Sequence, residues 1–118
     1  MNVETARAYC LAKRGACESF PFDEQSLVMK VMGKMFALID LEAARSISLK
    51  CDPDRAMELR EQYVGIEGAY YFNKKYWNCV FFDRDVKDSL IEELIDHSYN
   101  EVIKKFTKKE RAAYDALP

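Results

Sequence analysis

The strongest constraint on how this chain can fold is a long apolar stripe near its end. Leu90, Ile91, Leu94, Ile95, Tyr99, Val102, Ile103 and Phe106 recur at helical spacing, which predicts one helix over residues 86–106. Ser98 sits at the centre of that stripe. A small residue there predicts that the helix lies close on a flat partner, and a β-sheet is the partner that offers one.

Upstream segments supply such a sheet. Residues 27–40 read as a hairpin in which Gly33-Lys34 takes a type II′ turn, so that Met32 faces Met35 and Met29 faces Leu38. One face would then carry Leu27, Met29, Val31, Phe36 and Leu38 as core. The other would carry Val28, Lys30, Met32, Met35, Ala37 and Ile39, an apolar face with one lysine in it. Residues 45–50 alternate as a further strand, with Ile47 and Leu49 opposed to Ser46, Ser48 and Lys50. Residues 69–72 and 76–82 read as two more strands around the turn Asn73-Lys74-Lys75.

Helices fill the intervals. Val3, Ala6 and Cys10 mark a helix over 3–14, with Gly15 placed to end it. Pro21 makes residues 18–22 an extended connection. Asp52-Pro53 opens a helix with an Asx cap and a proline in the first turn. Thr107 with Glu110 is a capping box for a short last helix. At 118 residues, with 49% apolar and 13% aromatic side chains, the chain is expected to be one domain, 1–118, with a real core.

A net charge of −2 argues against a surface that is basic throughout, so any anion site must be a local patch. Cys10, Cys17, Cys51 and Cys79 form no closely spaced pair, and His97 has no second histidine. No metal or cofactor is therefore expected. The opening residues resemble no leader peptide, and no apolar run reaches the roughly 20 residues of a membrane span. A cytoplasmic protein with reduced thiols is expected. Carboxylate pairs such as Asp83 with Asp85 fall at helix ends or on solvated faces, and the four glycines form no phosphate loop. The sequence supplies no positive sign of catalysis.

One constellation mixes charge with aromatic surface: Tyr70-Tyr71-Phe72-Asn73-Lys74-Lys75-Tyr76-Trp77-Asn78. Two descriptions fit it. It is a hairpin with buried aromatics and solvating lysines, or a surface whose lysines meet phosphate while Asn73, Asn78 and Trp77 meet bases.

Several separate motifs resemble the MmcQ/YjbR-like family of small bacterial proteins. They are Lys34 to Leu38, Ser48 to Pro53, Leu59 to Tyr63, Asn73 to Asn78 and Leu94 to Tyr99. The resemblance covers nearly the whole chain and implies a CyaY-like α+β fold, a twisted antiparallel sheet with helices packed on one side. It also implies a non-enzymatic domain that contacts duplex DNA through two basic hairpin wings. The wings so implied are Gly33-Lys34 and Asn73-Lys74-Lys75, and with the neighbouring side chains the expected DNA contacts are Lys30, Lys34, Asn73, Lys74, Lys75, Trp77 and Asn78. Two positions depart from the family pattern: Tyr76 stands where histidine is common, and Cys79 where threonine is common. The fold resemblance extends to iron-binding frataxins, whose acidic first-helix ridge this chain lacks. Two alternatives are a protein-interaction module using Val28, Met32, Met35 and Ile39, and a small-ligand site near Tyr76 and Trp77.

Overall fold

The computed structural model describes residues 1–70 and 72–118. Six strands form one antiparallel sheet: β1 (Ala16–Ser19), β2 (Ser26–Val31), β3 (Lys34–Asp40), β4 (Ser46–Lys50), β5 (Ile66–Gly68) and β6 (Trp77–Phe81). Their spatial order is β1-β2-β3-β4-β6-β5. The four helices are α1 (Val3–Leu11), α2 (Pro53–Gln62), α3 (Asp88–Ile103) and α4 (Lys108–Asp115). The fold is α+β, with the helices on one face of the sheet.

The packing follows the apolar pattern. Ile91, Leu94, Ile95, Tyr99 and Val102 of α3 share one core with Leu27, Met29, Phe36, Ile39, Ile47, Leu49 and Val80 of the sheet. Local capping works as the residue types require. Asp52 accepts from the Arg55 amide at 3.1 Å with Pro53 in the first turn of α2. Thr107 and Glu110 exchange reciprocal bonds at the start of α4.

The first hairpin differs from the expected one. Its turn residues are Met32 (φ 51°) and Gly33 (φ 76°), both left-handed, which is the type I′ geometry rather than type II′ over Gly33-Lys34. The register pairs Met29 with Ala37 and Lys30 with Met35, so the ladder shifts by one between Met29 and Lys30. Phe36 is the extra residue of a β-bulge. It lets two consecutive side chains, Phe36 and Ala37, both sit fully buried on the helix face. Strict alternation cannot place them so.

The consequences reassign the two faces. Ala37 and Ile39 join the core, whereas Leu38 pairs with Val28 and Ser48 on the face without helices. The supposed contact face of Val28, Met32, Met35 and Ile39 does not exist as one exposed patch. Val28 and Ile39 are wholly buried, and Ile39 lies in the core.

The bulge also opens a gap that α3 fills. The β3–β4 ladder stops at Ala37 with Leu49, leaving the Lys50 amide beyond it. Ser98 Oγ accepts from that amide at 2.9 Å and donates to the Phe36 carbonyl. The small residue at the centre of the stripe therefore stitches two diverging strands.

Three other boundaries differ. Residues 16–19, read as turn and extended connection, form an edge strand paired with β2. The strand expected over 69–72 lies instead at Ile66–Gly68, and residues 69–76 connect it to β6; Tyr71 lies outside the described residues. α1 stops at Leu11, and Gly15 takes its left-handed φ of 71° in the turn beyond. All four cysteines are free thiols.

Candidate nucleic-acid interface

Three connections meet at one end of the sheet: the β2–β3 turn, the end of β4, and the entry to β6 from residues 69–76. The end of α3 reaches the same place. Each delivers lysine, and the lysines sense one another. Lys50 is half-buried, and burial is the main cause that lowers its pKa. The next is the positive charge of Lys105. Lys34 and Lys104 act in the same direction, while Glu101 opposes them.

Tyr76 connects this group to the second hairpin. Lys75 Nζ lies 5.5 Å from its ring centroid and Lys105 Nζ lies 5.6 Å from it. Two cations on one π-system gain from the ring quadrupole but repel each other. An anion between them would relieve that repulsion. Tyr76 thus acts as a fixed platform, and its carbonyl accepts from the Cys51 amide at 2.7 Å.

Carboxylates neutralise part of this end. Lys34 Nζ lies 3.3 Å from Glu110, and Lys104 Nζ lies 2.6 Å from Glu101. Glu101 is itself buried and stands 3.4 Å from His97 Nε2. His97 accepts from the Asp52 amide at 3.1 Å through Nε2. Burial, followed by the charge of Arg55, pushes its pKa below the usual value; Glu101 and Asp52 push it back up. Neutral imidazole suits an acceptor, so His97 works as structure at the start of α2. Lys30, Lys50, Lys75 and Lys105 have no carboxylate partner among the described residues.

The residues expected at the site divide. Lys34 and Lys75, from different hairpins, do come to one end. Lys30 reaches the same end along the open face, where register places it beside Met35 on β3 and Cys17 on β1. Trp77 sits opposite Lys50 on neighbouring strands and is half-buried, with one ring face stacked on Phe72 at 4.6 Å. It anchors the hairpin. Asn73 is exposed and holds the turn by accepting from the Lys75 amide at 3.0 Å.

Lys74 and Asn78 depart from expectation. Lys74 runs over Gly68 beside Arg60, so closely that a Cβ on Gly68 would stand 2.9 Å from Lys74 Cγ. Its ammonium lies 5.6 Å from the Tyr70 ring centroid rather than with Lys75. Asn78 cannot meet a base: it is 2% exposed, and Nδ2 donates to the Ala56 carbonyl of α2 at 3.2 Å.

Lys50, Lys104 and Lys105 were not among the expected residues. A signal for the last two was present, because Lys104-Lys105-Phe106-Thr107-Lys108-Lys109 places four lysines in six residues.

Fold and site together define a small α+β domain with an open-faced antiparallel sheet that is basic at one end. The chain belongs to the YjbR family, whose model matches residues 11–101. Among its relatives, the Escherichia coli K12 protein designated "Uncharacterized protein YjbR" is 31% identical over 94% of this chain and 95% of its own length. The "Uncharacterized protein YbdF" of Escherichia coli O157:H7 is 30% identical, covering 92% of this chain and 89% of its own. The crystal structure of Deinococcus radiodurans protein DR2400, a DUF419 domain, superposes with a TM-score of 0.85 at 41% identity. That match covers 98% of this chain and 88% of the other. A Pseudomonas syringae protein at 24% identity shares the fold, with a TM-score of 0.73 over 86% of this chain and 98% of its own.

Proposed function

We propose that this protein is a non-enzymatic domain that binds duplex DNA through phosphate contacts at the basic end of its sheet. The observation that carries the reading is the convergence of lysines from separate chain segments, of which Glu110 and Glu101 match only Lys34 and Lys104. Lys75 and Lys105 lie over the Tyr76 ring, Lys105 and Lys34 are near enough to act on Lys50, and Lys30 lies on the adjoining face. Positive charge held together against its own repulsion is what a polyanion rewards.

The buried Asn78 and the stacked Trp77 leave few groups free to read base edges. The expected binding is therefore salt-dependent and low in sequence preference. Four unpaired lysines correspond to a slope of about −3 to −4 in log K against log salt. Fluorescence anisotropy of a labelled duplex at several salt concentrations tests this. The double variant Lys50→Gln, Lys105→Gln should reduce the slope to about −2. No saturable binding at low salt, or an unchanged slope in the variant, would defeat the proposal.

A further inference from the structure

The open sheet face has opposite character at its other end. There a cavity of about 570 Å³ lies over Leu38, Ser48 and Cys79. Phe22, Tyr70 and Phe72 contribute aromatic surface to it, and Phe22 and Tyr70 are 65% and 80% exposed. Among the described residues, Asp23, Asp40 and Glu42 bring the only charges to its lining, and no lysine or arginine lines it.

These carboxylates make no ion pair among the described residues, and two are fixed in position by their own turns. Asp23 Oδ1 accepts from the Gln25 and Ser26 amides at 2.9 and 2.7 Å. Asp40 Oδ1 accepts from the Glu42 amide at 3.0 Å. The Asp23 carboxylate also accepts from the Ser26 hydroxyl, and Asp40 keeps its second oxygen outside its turn bonds. Ser46 and Ser48 hydroxyls interact with the Cys79 thiol, so the floor is largely occupied with itself. What the cavity offers a ligand is negative charge beside aromatic faces.

We propose that this cavity binds a small organic cation, an ammonium or guanidinium group on an apolar body. The carboxylates match the charge, the rings match both the apolar body and the cation, and the volume lies within the roughly 300–1,000 Å³ of small-molecule sites. The same pairing already occurs at the margin, where the Lys74 ammonium lies over Tyr70 without lining the cavity. The site adjoins the basic end through the Phe72–Trp77 stack and takes the opposite charge.

The test uses phenethylamine as the probe, with phenethyl alcohol and hydrocinnamate as neutral and anionic counterparts, read by amide chemical-shift mapping. Phenethylamine should move the amides of Phe22, Ser26, Ser48 and Cys79 and bind at least tenfold more tightly than either counterpart. The triple variant Asp23→Asn, Asp40→Asn, Glu42→Gln keeps the side-chain carbonyl acceptors of both turns. It should weaken phenethylamine at least tenfold while leaving the duplex salt slope unchanged. Equal binding of amine and alcohol, shifts centred elsewhere, or an unaffected triple variant would overturn the assignment. A trilysine peptide that binds these amides at least tenfold more tightly than every free amine tried would also overturn it, by making the occupant a protein segment.

Discussion

Replacing Ser98 by alanine removes one oxygen and leaves two backbone groups without a partner. Ser98 is fully buried, its Oγ donates to the Phe36 carbonyl, and it accepts from the Lys50 amide at 2.9 Å. Stranding a buried polar group costs about 1–3 kcal/mol, so the pair would cost about 2–4 kcal/mol given that Lys50 is only half-buried. Alanine's better helix propensity returns up to about 0.5 kcal/mol. The net loss expected is about 1.5–3.5 kcal/mol, a large share of the roughly 5–15 kcal/mol that holds a domain together. Urea unfolding of both proteins measures it as a lower midpoint at unchanged slope. The Lys50 amide should also exchange with solvent far faster in the variant. A loss under about 0.5 kcal/mol would show that the hydroxyl does not stitch the strands, and the account of the bulge would fall with it.

Two further perturbations test the first hairpin and the pH response. Gly33→Ala should destabilise by about 1–2 kcal/mol, because φ is 76° while no atom crowds the position, so backbone strain alone acts; thermal unfolding reads it. His97 has a folded pKa below its ordinary 6.5, so its contribution is complete above pH 6.5 and lost as pH falls through 6.5 toward the folded pKa. It is the only histidine, and His97→Gln should flatten the decline in stability between about pH 7 and pH 5, seen by denaturation at each pH.

Most of the architecture was legible because it is written locally. Asp52-Pro53, Thr107 with Glu110, and the stripe with Ser98 at its centre each specify their own geometry. What alternation could not reveal was the bulge at Phe36, since a single extra residue reverses the facing of the strand segment that follows it, Ala37 to Ile39. β1 was hidden for a different reason. Its residues, Ala16-Cys17-Glu18-Ser19, have no apolar alternation, and pairing with β2 alone makes them a strand. Asn78 looked like a surface donor by residue type, although its position two before buried Val80 put it on the core face. The site was half legible. Lys34 and Lys75 stood at visible turns, whereas Lys50 and Lys105 join them only because β4 and α3 end at the same place.

The proposed duplex site is the end of the sheet where those lysines gather. Amide chemical-shift mapping during titration with a short duplex at low salt tests it most directly. Shifts should concentrate at Lys34, Lys50, Lys75, Tyr76 and Lys105 and their neighbours and fade as salt is raised, with Asp23 and Asp40 unmoved. Shifts centred on the acidic end or on the exposed helices, or no shifts at all, would contradict it.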